Sequence, residues 1–216
     1  MWLNDGAGSF SDSGNRLGSS DSQAVALGDL DGDGDLDAFV GNAYQPNRVW
    51  LNDGAGGFID SGNSLGSSDS RAVALGDLDG DGDLDAFVGN LDQANRVWLN
   101  DGAGSYSDSG NSLGTSASNA VALGDLDGDG DLDAFVGNSG ANTVWLNDGA
   151  GGFSDSNQSL VTFISNAVAL GDLDGDGDLD GFVGDWDAQA NTVWLNDGAG
   201  SFSDSGNSLG LSLIHI

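Results

Sequence analysis

Four short apolar runs recur along the chain in a fixed order. Ala24 to Leu27 sets Val25 and Leu27 on one face and alanines on the other. Ala38-Phe39-Val40, Val49-Trp50-Leu51 and Phe58-Ile59 follow, each bounded by clusters of Gly, Asn, Asp and Ser. Apolar runs this short, punctuated by turn formers, predict β-strands. Asn52-Asp53-Gly54, between the third run and the fourth, predicts a tight hairpin, because Asp-Gly supplies the positive φ such a turn needs. No ten-residue stretch keeps a helical period without glycine interrupting it. The unit therefore reads as a four-stranded meander, with strands A to D.

The unit repeats. Asp29, Asp77, Asp125 and Asp172 open equivalent segments, spaced 48, 48 and 47 residues apart. A period of this length predicts a propeller blade or another stacked repeat. Strands A and C carry apolar residues on both faces, so each sheet needs a neighbour on either side, which blades around an axis provide. The small alanines of strand A suit the crowded inner position. A flat β-solenoid is the alternative architecture, although its coils are usually shorter. Residues 2–14 supply strands C and D of one unit, and four full units follow. The expectation is an all-β β-propeller of about four and a half four-stranded blades, forming an incomplete arc of a larger ring and occupying residues 1–210.

Both ends read as cut. Met1-Trp2-Leu3-Asn4 fills the slot that elsewhere reads Val49-Trp50-Leu51-Asn52. The tail 211–216 (LSLIHI) belongs to no repeat and reads as the translation of a sequencing-library adapter, so it is left out of the fold. No signal peptide opens the chain, which as a fragment would not be expected to carry one.

Charge narrows the partners. The 216 residues carry a net charge of −31, and all 35 acidic residues are Asp. Glu, Lys and Cys are absent, and the basic residues are Arg16, Arg48, Arg71 and Arg96. Such a surface repels nucleic acid and anionic membranes, so neither is expected as a partner. No apolar run approaches the ~20 residues that span a bilayer.

The acidic residues concentrate where each unit turns from strand A to strand B. Asp29-Leu30-Asp31-Gly32-Asp33-Gly34-Asp35-Leu36-Asp37 packs five carboxylates into nine residues. At 4 Å and an effective dielectric near 20, two carboxylates repel by roughly 4 kcal/mol. Crowding of this kind fits a calcium turn, in which side chains at positions 1, 3, 5 and 9 supply oxygens, position 6 is glycine and position 7 offers its carbonyl. Asp29, Asp31, Asp33 and Asp37 are then side-chain ligands, and Asp35 holds the carbonyl position. The same set recurs as Asp77, Asp79, Asp81, Asp83 and Asp85; as Asp125, Asp127, Asp129, Asp131 and Asp133; and as Asp172, Asp174, Asp176, Asp178 and Asp180. An all-oxygen set favours Ca²⁺ over zinc or copper, and magnesium suits so many protein carboxylates less well. The loop is no EF-hand, because Val40, Val88, Val136 and Val183 stand where the bidentate Glu would be. Four bound calcium ions, about one per repeat, would bring the charge from −31 to −23.

These loops, followed by Phe39-Val40-Gly41 and its counterparts, resemble the FG-GAP/VCBS repeat family, whose relatives include the integrin alpha-chain propellers. The resemblance spans residues 1–210. It implies a β-propeller with a calcium ion in each A–B loop, and an extracellular or cell-surface protein. It also implies a role as an adhesion or ligand-binding module, or as an accessory domain of a larger enzyme. Integrin propellers have seven blades, more than this chain supplies.

In a meander, loops A–B and C–D lie at one end of the blade and loops B–C and D–A at the other. The first pair is nearly uniform among the units. The second varies: B–C reads NAYQPN, NLDQAN, NSGAN and DWDAQAN, and D–A ranges from SSDSQ to VTFIS at Val161 to Ser165. The variable face is expected to display Tyr44, Gln45, Asn47, Asp92, Gln93, Asn142, Trp186, Asp187 and Gln189. Aromatics beside amides suit carbohydrate or peptide recognition, with Tyr44, Gln45, Gln93, Trp186 and Gln189 as the candidate contacts. Trp50, Trp98, Trp145 and Trp194 are expected to pack between blades.

Catalysis is not expected. The only histidine, His215, lies in the tail, so acid–base chemistry would fall to Asp alone. Asp-Ser-Gly at Asp12, Asp60, Asp108 and Asp204 resembles the aspartic-protease triplet, but that chemistry needs two carboxylates across one cleft. A turn cap accounts for these triplets better. Two function classes remain: a calcium-dependent binding module for a protein or carbohydrate, and a purely architectural accessory domain.

Overall fold

The computed structural model describes residues 2–161, 163–186 and 189–209. Among them the chain is all strand and turn, and no helix is long and apolar enough to cross a membrane. The strands are β1 (Trp2–Asn4), β2 (Phe10–Asp12), β3 (Ser22–Gly28), β4 (Asp37–Asn42), β5 (Arg48–Asn52), β6 (Phe58–Asp60), β7 (Ser70–Gly76), β8 (Asp85–Asn90) and β9 (Arg96–Asn100). They continue with β10 (Tyr106–Asp108), β11 (Ser118–Gly124), β12 (Asp133–Asn138), β13 (Thr143–Asn147), β14 (Phe153–Asp155), β15 (Ser165–Gly171), β16 (Asp180–Asp185), β17 (Asn191–Asn196) and β18 (Phe202–Leu209).

Four antiparallel sheets of four strands, each in sequence order, form blades 1 to 4 (β3–β6, β7–β10, β11–β14 and β15–β18). β1 and β2 form a half-blade ahead of them. This is an open β-propeller. Strand A runs two residues further N-terminally than its apolar core, because a bulge lets Ser22 pair Asn42 while Ala24 pairs Gly41. The same bulge recurs between Ser70 and Ala72, Ser118 and Ala120, and Ser165 and Ala167.

The core lies between blades rather than within them. Leu30, Phe39 and Val49 of blade 1 pack with Ala86, Val88, Trp98 and Tyr106 of blade 2, and the pattern repeats at the next two junctions. An aromatic edge pair marks each junction: Phe39–Tyr106 at 5.4 Å, Phe87–Phe153 at 5.6 Å and Phe135–Phe202 at 5.4 Å. Such pairs add roughly 0.5–1.5 kcal/mol beyond the area they bury. Strand A is innermost, and neighbouring A strands pack directly as β3–β7–β11–β15. Glycine lets the blades approach closely there: a Cβ on Gly28 would lie 2.6 Å from Leu84 Cδ1 of the next blade, and one on Gly76 2.6 Å from Leu132 Cδ1, so those leucines would have to shift.

The two ends of the arc lack this cover. Leu30, Leu78 and Leu126 are at most 1% exposed, whereas the equivalent Leu173 of blade 4 is 48% exposed. At the other end, Val25 and Leu27 of β3 are 64% and 60% exposed.

Candidate metal centres and the variable loop face

Local hydrogen bonds shape each A–B loop. Asp29 accepts from Gly32 N at 2.9 Å and Gly34 N at 3.0 Å, and Asp33 Oδ1 accepts from Asp35 N at 2.9 Å. Gly32 and Gly34 turn the chain at φ +77° and +94°, a region that L side chains rarely adopt. Between the acidic positions, Leu30 drops into the interblade core and anchors the loop.

The carboxylates converge. Oxygens of Asp29, Asp31 and Asp33 lie within 4.8 Å of one another, as do those of Asp77, Asp79 and Asp85; Asp125, Asp127 and Asp133; and Asp172, Asp174 and Asp180. Positions 1 and 3 meet in every loop, joined by position 5 in the first and position 9 in the others. Asp37, Asp85, Asp133 and Asp180 are wholly buried at position 9. Asp37 accepts from Leu30 N at 2.8 Å and Asn52 N at 2.7 Å, tying the loop to strand C. Asp81, Asp129 and Asp176 each accept the N–H two residues on. The position-7 carboxylates of Asp35, Asp83, Asp131 and Asp178 turn towards the C–D hairpin, against Gly54, Gly102, Gly149 and Gly198.

Electrostatics leave these groups short of positive charge. Burial, then neighbouring carboxylates, holds Asp79 and Asp127 above the ordinary range. Burial also raises Asp31 and Asp174. It pushes Asp85 and Asp133 up to about 6 despite two backbone N–H donors each. Among the described residues the ion pairs are Arg16–Asp12, Arg48–Asp60, Arg71–Asp69 and Arg96–Asp108, so no arginine pairs with a loop carboxylate. One buried acceptor also recurs without a donor: Oδ1 of Asn52, Asn100, Asn147 and Asn196. Hard oxygens, unneutralised and held together, fit a hydrated calcium ion chemically.

The loops of blades 1 to 3 are also fastened to the following blade. Asn100 Nδ2 donates to Leu30 O at 2.9 Å, Asn147 Nδ2 to Leu78 O at 2.9 Å and Asn196 Nδ2 to Leu126 O at 2.8 Å. Gly151 N and Gly200 N reach the same carbonyls of Leu78 and Leu126. The sequence gives no sign of this clamp, because its partners lie about 70 residues apart.

The B–C and D–A loops share the opposite end, joined by Ala43 N to Asp21 O, Leu91 N to Asp69 O, Ser139 N to Ala117 O and Trp186 N to Ile164 O. Tyr44, Gln45, Asp92, Gln93, Trp186 and Gln189 are exposed. Tyr44 and Asp92 adopt φ of 53° and 51°. Asn47 and Asn142, expected on this face, are instead buried. Their Oδ1 atoms turn inward to accept the N–H groups of Asn42 and Asn138 at the end of strand B. Asp187 lies outside the described residues. Val161, Phe163 and Ile164 are exposed beside the Trp186 loop, so on this face apolar side chains cluster at the entry to blade 4. The departure of VTFIS from the polar D–A segments elsewhere was the signal for it.

The Asp-Ser-Gly triplets cap turns: Asp12, Asp60, Asp108 and Asp204 each accept the glycine N–H two residues on, at 2.8–3.0 Å. Asp155 does the same for Asn157, which takes φ 59° where the other blades use glycine.

A family model described as FG-GAP-like repeat matches three overlapping stretches, residues 29–88, 77–136 and 125–183. The chain belongs to the FG-GAP-like repeat family. Each match begins at the first aspartate of one A–B loop and runs through the next loop, so the family signature and the carboxylate clusters coincide. Among solved structures, this FG-GAP-like chain is similar to a lectin from Agrocybe aegerita that recognises non-reducing terminal N-acetylglucosamine. The identity is 23% and the TM-score 0.59, with 94% of this chain and 58% of that one covered. It is also similar to a chain in the complex of BBS1N with ARL6DN, at 15% identity and TM-score 0.60, with 89% of this chain and 55% of that one covered. The FG-GAP-like chain thus spans little more than half the length of either. No curated protein sequence matches it.

Proposed function

We propose that this FG-GAP-like segment is an extracellular calcium-binding module that recognises a protein or carbohydrate through its variable loop face and carries no catalytic activity. The observation behind this reading is the fourfold convergence of carboxylates in the A–B loops, without a basic partner among the described residues. Asp29, Asp31 and Asp33, with their counterparts and the buried position-9 aspartates, would hold the ion. When bound, it supplies the positive charge that lets these carboxylates stay ionised side by side. Calcium-binding loops of a different design, the EF-hands of extracellular modules, bind the ion at about 10⁻⁴–10⁻³ M, which sets the concentration range for titration.

Recognition falls to the other end of the blades. Trp186 is 57% exposed and Tyr44 68% exposed, each beside polar side chains. An aromatic face with flanking amides suits sugar stacking and peptide contact alike. The sugar bound by the Agrocybe aegerita lectin makes N-acetylglucosamine-terminated glycans the first probe.

Two measurements test the reading. Calorimetric titration should show calcium binding, with a melting temperature that falls in excess chelator. An unchanged melt with no binding heat would remove the metal. A glycan and protein array, with and without calcium, should then return a ligand whose binding is lost in Trp186→Ala at unchanged stability. An empty array would leave an architectural accessory domain.

A further inference from the structure

Between blades 3 and 4 lies a cavity of about 220 Å³, with a full four-stranded blade on either side. One wall is the start of the blade 3 A–B loop, with Asp125, Leu126 and Gly128. Blade 4 supplies the other, with Asp178, Leu179 and Asn196.

The polar side chains of this cavity present oxygens. Asn196 is 5% exposed. Its Nδ2 donates to Leu126 O at 2.8 Å and to Leu179 O at 3.2 Å, while its buried Oδ1 accepts no hydrogen bond. The Asp178 carboxylate lies against Gly198 of the C–D hairpin. Around it stand the carboxylates of Asp176, Asp172, Asp180 and Asp197, with no donor among the described residues. Asp125 accepts Gly128 N at 2.7 Å and Gly130 N at 3.1 Å. A carboxylate has about four lone-pair positions, so Asp125 keeps capacity for a further partner. The arginines pair elsewhere, with Asp12, Asp60, Asp69 and Asp108. A cavity of acceptors, one of them buried and unmatched, calls for an occupant that donates and carries positive charge.

Its size narrows the choice. Water takes up about 30 Å³ per molecule in the liquid, so the cavity has room for a cation together with several of its waters. Calcium takes six to eight oxygens, as the A–B loops can offer, whereas magnesium dehydrates reluctantly and is held through one or two carboxylates with much of its water retained. We propose that this cavity binds a hydrated Mg²⁺ ion, which bridges blades 3 and 4 through Asn196 Oδ1 and the carboxylates of Asp125 and Asp178. The site goes beyond the loop sites and shares only the Asp125 carboxylate with them. In the calcium turn Asp178 offers its backbone carbonyl; here its side chain is the ligand.

Crystals of the full chain grown in calcium and soaked in MnCl₂, with Mn²⁺ standing in for Mg²⁺, test the site. Anomalous difference maps recorded on either side of the manganese edge should place Mn²⁺ in this cavity. No manganese there, or manganese only on exposed carboxylates, would overturn the proposal. Calcium density in the A–B loops reports on the loop reading separately, so either can fail alone. In solution, MgCl₂ is titrated calorimetrically into the calcium-saturated chain. Asp178→Asn should weaken magnesium binding at least ~10-fold, the loss of one contact to a charged group. Asp21→Asn, an equal change of charge on an exposed D–A loop at the opposite end of the blades, should bind as the parent does. Absence of magnesium binding by the parent, equal binding by Asp178→Asn, or equal weakening in Asp21→Asn would overturn the proposal.

Discussion

Mild acid should stabilise this protein when it is stripped of metal and weaken the effect of calcium when it is not. Asp85 and Asp133 are wholly buried, and burial pushes both up to about 6 from an ordinary 3.8. A carboxyl raised in this way binds its proton more tightly in the folded state. Its favourable contribution is present below the unfolded value and is lost as pH rises through about 6. The gap corresponds to about 3 kcal/mol per group over the full range. Between pH 7 and 5 the part gained is about 1.3 kcal/mol per group, or about 2.5 kcal/mol for both. For a domain this size each kcal/mol moves the melting temperature by about 2–4 °C. Metal-stripped protein should therefore melt about 5–10 °C higher at pH 5 than at pH 7. Calcium has the opposite pH dependence. It would bind the ionised carboxylates, so protons would compete with it and its stabilisation should shrink as pH falls. Calorimetric melts at pH 7, 6 and 5, in calcium-free buffer and in excess calcium, should give two curves that converge towards acid. A metal-free melting temperature that stays flat or falls from pH 7 to 5 would refute the argument, because the buried carboxylates would then not carry unfavourable charge.

Other substitutions separate the parts of the structure. Asn147→Ala removes donors to Leu78 O and Leu132 O and should cost about 1–3 kcal/mol in denaturant unfolding. Asn52→Ala, whose Nδ2 donates at 3.2 Å to Leu36 O within its own blade, should cost less. Phe135→Ala, wholly buried and edge-on to Phe202, should cost about 3–5 kcal/mol. Phe182→Ala, half-exposed at the uncovered end of the arc, should cost less than half of that. Calcium titration should resolve three similar sites and one weaker one. Among the described residues no following blade clamps the A–B loop of blade 4, and its Asp172 and Asp174 are exposed. Four indistinguishable affinities would show that the clamp does not tune the site.

What the sequence revealed follows from what is local. The apolar runs marked every strand of the full blades, because alternation and turn chemistry act within a few residues. Asp-Gly at Asp53-Gly54 marked the C–D hairpin for the same reason. Leu30 shows the limit of local reading. Flanked by Asp29 and Asp31 it looks solvated, yet it is 1% exposed, because the neighbouring blade closes over it. Asn47 and Asn142 failed in the other direction: polar loop residues read as display, and the end of strand B needed their oxygens. Convergence of positions 1 and 3 follows from loop spacing, but the place of position 9 depends on Asn100 N in strand C.

Stacking and charge are coupled at one level of the molecule. The aspartates that could hold a cation sit in the loops whose second residue, Leu30, Leu78 or Leu126, packs into the interblade core and whose carbonyl receives the next blade's Asn. A loop that opened to relieve repulsion would pull that leucine out and break the clamp, so each loop conformation and its junction stand or fall together. In a repeat array stability is a sum over neighbouring pairs, and this chain has three complete junctions of one design. Cation binding at blades 1 to 3 would therefore act on the junctions themselves. At blade 4, where Leu173 is 48% exposed among the described residues, it would order the loop alone.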